Sequence, residues 1–209
     1  MMRKNWTFVL VPALLLAFSM LYLLLIGERD AAAVREGVLR FHVVAKSDSA
    51  EDQTLKIKVR DGVFAMIEQL FSGCDDREEA LQVAHANEQA LRAEAERILR
   101  ENGNQDPVTL EIGTRFFPTK AYGALSFPAG RYQAVSIRIG AAEGQNFWCV
   151  LYPALCIAPA VAEEGAEQEL VATIGQESTD FLKKSTEKQE IKFLLVEWFE
   201  QFVEKILKR

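Results

Sequence analysis

The sequence predicts an α+β protein: an N-terminal transmembrane helix, then a largely antiparallel sheet with two helices packed on it and a C-terminal amphipathic helix. Three observations lead there. Trp6 to Ile26 is a run of 21 residues without a charge. Two segments of helical periodicity follow one alternating segment and precede three more β-like ones, the order β-α-α-β-β-β. The last twenty residues (190–209) carry one wide apolar stripe at helical spacing.

As a helix the first run is about 31 Å long, close to the roughly 30 Å hydrocarbon core of a bilayer. Arg3 and Lys4 precede it, and Glu28, Arg29 and Asp30 follow. The basic flank keeps the N-terminus in the cytoplasm and sends the rest across the membrane. Ala31-Ala32-Ala33 resembles a peptidase site, but the run exceeds the 7–15 residues of a usual signal core. An uncleaved signal anchor over 1–27 is therefore favoured over a cleaved signal peptide. A buried core helix is disfavoured, because the run is apolar on every side. Residues 28–37 read as a tether, 38–158 as the exported α+β domain, 159–189 as an acidic linker and 190–209 as the closing helix.

Within the exported part, Val38–Ala45 alternates as a strand, with Leu39, Phe41, Val43 and Ala45 on one face and Arg40 and His42 on the other. Ser47-Asp48-Ser49 opens a helix, Asp48 with Glu51 or Ser49 with Asp52 having capping-box spacing. Leu55, Val59, Val63, Met66 and Leu70 form its apolar stripe. A second helix is expected over about Asp76–Arg100. Val108, Leu110 and Ile112 alternate as a strand, as do Val135, Ile137 and Ile139. Phe147–Tyr152 is apolar throughout and reads as a central, doubly covered strand. Glu163, Glu164, Glu167 and Glu169 with two glycines mark 160–190 as mobile and acidic.

Charge and composition narrow the function. The 209 residues carry a net charge of −6, but residues 34–209 hold 21 Lys+Arg against 28 Asp+Glu, or −7. That balance argues against a nucleic-acid binder. Two histidines and three cysteines leave little for a metal cluster, and no cofactor or metal is expected. Cys149 and Cys156 flank Pro153 and would form a short disulfide loop in an exported domain, the alternative being two buried thiols. Cys74 is then left over.

Two polar groups could carry function. His42 through Asp61 holds two serines, four acids and four bases. A hydrolase would use His42 with Ser47 or Ser49, but the serines flank Asp48 like capping groups and no G-x-S-x-G elbow exists. A corner held by capping bonds is the plainer reading. Gln53, Lys56 and Arg60 share a helix flank and could also make a docking surface. Arg115–Gly123 (RFFPTKAYG) is either a binding loop or a turn whose aromatics cover the core.

The H-V-x-A-x-S-D-S-x-x-D-Q block (42–53), the F-P-T-K-x-Y-G loop (117–123) and the W-C-V-L-x-P-x-L-C segment (148–156) resemble the stage II sporulation protein R family of endospore-forming bacteria. The likeness runs from about residue 38 to 156 and returns around Val196-Glu197-Trp198. It implies a signalling protein and not an enzyme. Such a protein is made in the forespore and exported to the space between the forespore and mother-cell membranes. There it activates a membrane-embedded aspartic protease that cleaves the sigma-E precursor in the mother cell. His42, Ser47, Asp48, Asp52, Gln53, Lys56 and Arg60, with Phe117, Pro118, Lys120 and Tyr122, are then expected to form or support the contact with that protease. A membrane-associated structural protein, anchored by both end helices, is a further alternative.

Overall fold

The computed structural model describes the backbone of residues 7–155, 167–168 and 170–184. The first helix, α1, runs unbroken from Thr7 to Gly37. Its N-terminal part is apolar all round: Leu14, Leu15, Leu16, Phe18, Met20 and Tyr22 are each more than 60% exposed. A helix with no polar face and no packing partner among the described residues is suited to lipid, and the span starting at Val11 is long and apolar enough to cross a bilayer.

The segment expected as a tether is the continuation of this helix. Ala31, Ala32 and Ala33 are strong helix formers, while Ala31 and Val34 are buried in the folded domain. Gly37 allows the close approach of Ile174: a Cβ there would lie 2.3 Å from its Cγ2.

Strand β1 (Leu39–Val44) follows, then α2 (Ala50–Phe71), α3 (Arg77–Ala86) and α4 (Glu88–Glu101). Ser49 is the N-cap of α2, in extended conformation, and its hydroxyl accepts the Asp52 amide. The single helix expected over 76–100 is two. Asn87 separates them, its side-chain amide donating to the Val83 carbonyl at 2.8 Å in place of a continued helical turn.

The remaining strands are β2 (Val108–Phe117), β3 (Lys120–Tyr122), β4 (Leu125–Phe127), β5 (Gly130–Ile139) and β6 (Asn146–Tyr152). Four of them form one sheet in the order β2-β5-β1-β6, and β3 pairs with β4 as a separate hairpin. The sheet is mixed: β1 is parallel to β5 and antiparallel to β6, and β2 is antiparallel to β5. The parallel pair arises because three helices connect β1 to the rest of the sheet, so that its direction is not set by a hairpin.

Strand alternation divides the core into two clusters. Leu39, Phe41 and Val43 of β1, with Val135, Ile137 and Ile139 of β5, meet α2, α3 and α4. On the opposite face, Tyr132, Ala134 and Val150 pack with Val34, Val38, Phe117, Phe127, Leu170 and Leu182. The second face is thus covered by the end of α1, the hairpin and the helical residues 170–184.

Two expectations change here. Residues 170–184, expected within an acidic linker, are helical and bury Leu170, Thr179 and Leu182 completely. β6, expected to be central, is an outer strand. Its apolar run reflects cover on both faces, Cys149 and Leu151 facing one cluster and Val150 the other. The two inner strands are β5 and β1. The amphipathic helix expected at 190–209 lies outside the described residues.

Candidate functional site: a clamped corner beside an arginine-centred aromatic face

The sequence-predicted residues fall into two groups that meet at the start of β6. The first is a clamp between the N-terminus of α2 and the loop before β6. The Ser47 hydroxyl donates to Asp52 Oδ2 at 2.5 Å and accepts the Ser49 amide at 3.2 Å. The Ser47 carbonyl accepts from Gln53 Nε2 at 2.8 Å. Asp48 Oδ1 accepts the Gln145 amide at 2.7 Å, while Lys56 Nζ donates to the Gln145 carbonyl at 3.1 Å and to Gln53 Oε1 at 2.5 Å. Residue 145 is therefore held at both its N–H and its C=O. The amides of Glu143 and Gly144 reach back to the carbonyls of Lys46 and Ala45.

Lys56 is 5% exposed. Burial, followed by the neighbouring Arg60 charge, pushes its pKa down from the usual lysine value. Arg60 lies 4.7 Å over the Phe147 ring and pairs with Asp61 at 2.5 Å. Ser47, Asp52, Gln53 and Lys56 thus spend their polar groups on one another and on the loop. Truncating Asp48 to alanine leaves the Gln145 amide without its acceptor. The expected loss is about 1–3 kcal/mol, measured by chemical denaturation; an unchanged midpoint would refute the clamp.

The second group is centred on Arg40, which the alternation placed on the face opposite Leu39, Phe41 and Val43. Arg40 is completely buried. Its Nε donates to the Cys149 carbonyl at 2.9 Å and its Nη2 to the Tyr122 hydroxyl at 3.0 Å. Tyr122 in turn donates to the Trp148 carbonyl at 3.0 Å. The guanidinium carbon sits 4.6 Å from the Phe117 ring centre, 5.0 Å from Tyr132, 5.2 Å from Phe127 and 5.8 Å from Tyr122. Desolvation pushes the Arg40 pKa down and the Tyr122 pKa up, and raises Tyr132 to about 12. Both tyrosines remain neutral donors at physiological pH.

The aromatics of the F-P-T-K-x-Y-G loop therefore cover the core, Phe117 being fully buried, and the loop is pinned to the sheet through Arg40. Pro118 and Lys120 lie at its partly exposed margin. The readable signal for this cage was the density of Phe and Tyr between 116 and 132. Alternation put Arg40 on the face opposite Leu39 and Phe41 but carried no sign that this face is covered as well.

His42 joins the two groups. Its ring stacks on Trp148 with centroids 3.9 Å apart and planes 4° from parallel, and its Nε2 hydrogen-bonds Asn146 Oδ1 at 2.7 Å. Burial lowers its pKa below 6.5, with the Arg115 and Arg138 charges acting in the same direction. The folded chain thus prefers neutral His42. Its contribution is whole above the unfolded value near 6.5 and is lost as pH falls toward the lower folded value. The melting temperature should accordingly drop between about pH 7.5 and 5 in the parent and drop less in His42→Gln. Parallel pH profiles of the two proteins would exclude this origin.

A His42-based hydrolytic pair is not what these bonds build. His42 is engaged by Asn146, Ser47 by Asp52, and Ser49 by the Asp52 amide. Among the described residues no group of three or more His, Cys, Asp or Glu stands ready to hold a metal ion. Cys149 is disulfide-bonded and Cys74 carries a free thiol; Cys156, the expected partner of Cys149, lies outside the described residues.

Fold and site together define an α+β module on an apolar helical stem, its polar side chains used to shape a surface. Comparison with known proteins agrees and is more specific. The Stage II sporulation protein R family matches residues 35–162. The chain is also 30% identical over 195 residues to Stage II sporulation protein R of Bacillus subtilis (strain 168), covering 82% of this chain and 84% of that protein. The chain belongs to the stage II sporulation protein R family. No solved structure matches it.

Proposed function

We propose that this chain is an exported, non-catalytic signal that activates a membrane-embedded aspartic protease processing the sigma-E precursor in the mother cell. Membership of a sporulation family supplies the context. The observation that carries the reading is α1, whose exposed apolar turns run without a break into the buried core at Ala31 and Val34. Such a helix holds the folded domain against the membrane face, where a membrane protease presents its outer surface. With its basic flank in the cytoplasm, the domain lies in the intermembrane space.

Activation then requires tighter binding to the protease's active state than to its inactive one. The clamped corner around Ser47, Asp48 and Gln53 and the loop margin at Pro118 and Lys120 are the surfaces offered for that contact. Holding the domain at the membrane also raises its local concentration near a membrane partner.

The test is co-expression of this chain, the protease and the sigma-E precursor in non-sporulating cells. Cleavage that depends on the chain and on its export supports the activator. Cleavage indifferent to either would overturn it.

A further inference from the structure

A cleft of about 270 Å³ lies away from the clamp and the aromatic cage, between the end of α1, the start of α3, the outer strand β2 and its neighbour β5. Its walls bring together Arg35, Arg77 and Arg131 against one acid, Glu36, with Thr114 and Gln133 side by side in the β2–β5 register. Three guanidiniums in one cleft are notable in a chain of net charge −6.

Their charges are only partly spent. Arg35 pairs with Glu28, whose own side chain is 71% exposed. Arg77 donates its Nε to the Glu36 carbonyl at 2.8 Å and stands 3.7 Å from Glu78. Arg131 is exposed and has no ion-pair partner among the described residues. Planar guanidinium forks on facing walls suit a carboxylate or another oxyanion.

Two further features decide which. Phe116 pairs in register with Arg131 and is 63% exposed, the one large apolar side chain so exposed outside α1 among the described residues. An apolar contact therefore adjoins the cationic cleft, on an outer strand open to lateral approach. Height is the second. Arg35 lies nine residues beyond Ile26, or about 13 Å along the helix. A headgroup layer is only about 5–7 Å deep. The cleft thus stands above the lipid phosphates.

We propose that this cleft is a docking site for an acidic protein segment. A carboxylate would enter between Arg131, Arg77 and Arg35, and the neighbouring apolar side chain would rest on Phe116. The occupant is a partner protein whose acidic, partly apolar segment projects just above the membrane surface. The site stands on its own chemistry and adds to the activator reading the kind of side chain that its partner presents.

The test uses the full chain in phosphatidylcholine nanodiscs, observing arginine Nε–H signals by NMR. The probe is the peptide acetyl-Glu-Leu-Glu-amide, with acetyl-Gln-Leu-Gln-amide as its uncharged control. The acidic peptide should shift the Arg35, Arg77 and Arg131 signals saturably and bind at least about tenfold more tightly than the control. Arg131→Glu should abolish the shift, and Phe116→Ser should weaken it severalfold, both with unchanged melting temperatures because both side chains are exposed.

Equal binding of the two peptides, no saturable shift, or full binding by Arg131→Glu would overturn the proposal. So would inorganic phosphate binding as tightly as the peptide, which marks a small-anion site. The same shifts on phosphatidylglycerol nanodiscs without peptide would overturn it in favour of lipid. None of these readouts involves protease activity, so failure here leaves the activator reading to its own test.

Discussion

Replacing Arg40 with alanine is expected to cost about 3–5 kcal/mol of folding stability, the largest loss of any single substitution in this domain. Three effects add. The Cys149 carbonyl and the Tyr122 hydroxyl lose their donor. Four aromatic rings lose the cation they surround. A cavity opens between the sheet and the β3–β4 hairpin. Arg40→Met separates these effects: it keeps most of the volume and removes a charge whose desolvation opposes folding. The methionine variant should stay within about 1.5 kcal/mol of the parent. Denaturant unfolding followed by Trp fluorescence gives both values. An alanine variant as stable as the methionine one would show that packing in the cage contributes little.

Gly144→Ala should be nearly as damaging, at about 2–4 kcal/mol. A Cβ there would lie 2.2 Å from the Ser47 carbonyl oxygen and 2.6 Å from its carbon. Both are backbone atoms, and Ser47 cannot retreat, because Asp52 and Gln53 hold it from the α2 side. The damage should be local as well as global: the amides of Glu143, Gly144 and Gln145 should exchange with solvent faster than in the parent. Gly73→Ala is the matched control, since nothing lies within 4 Å of a Cβ at that position. It should change stability by no more than about 1 kcal/mol in either direction. Similar losses for both variants would remove the steric argument.

The helix-facing half of the fold was legible because periodicity and burial agree there. Leu55, Val59 and Val63 line the inner side of α2, and Ser49 with Asp52 caps it as the spacing suggested. The other half was not, because its buried members are polar or lie in acid-rich sequence. Arg40 is hidden by aromatics that come from four other strands, β2, β3, β4 and β5. Leu170 and Leu182 are buried within a stretch that composition marks as solvated. The continuous apolar run also misplaced β6: an outer strand covered on both faces has the same apolar pattern as a central one. At the site, the residue types were readable and their use was not. Ser47, Asp48, Gln53 and Lys56 look like a reactive cluster in one dimension. Asp48 and Lys56 in fact hold the Gln145 peptide, about ninety residues away.

The unbroken α1 gives the domain an angular position as well as a height. A helix advances 1.5 Å and turns about 100° per residue. Through Ala31 and Val34, the rotation of the apolar stem about its axis sets which side of the domain faces a neighbour in the same membrane. One residue added between Ile26 and Ala31 would swing every surface of the domain through more than a quarter turn. Seven would restore the original bearing to within about 20° while raising the domain by about 10 Å. The stem is in this sense both a mast and a compass.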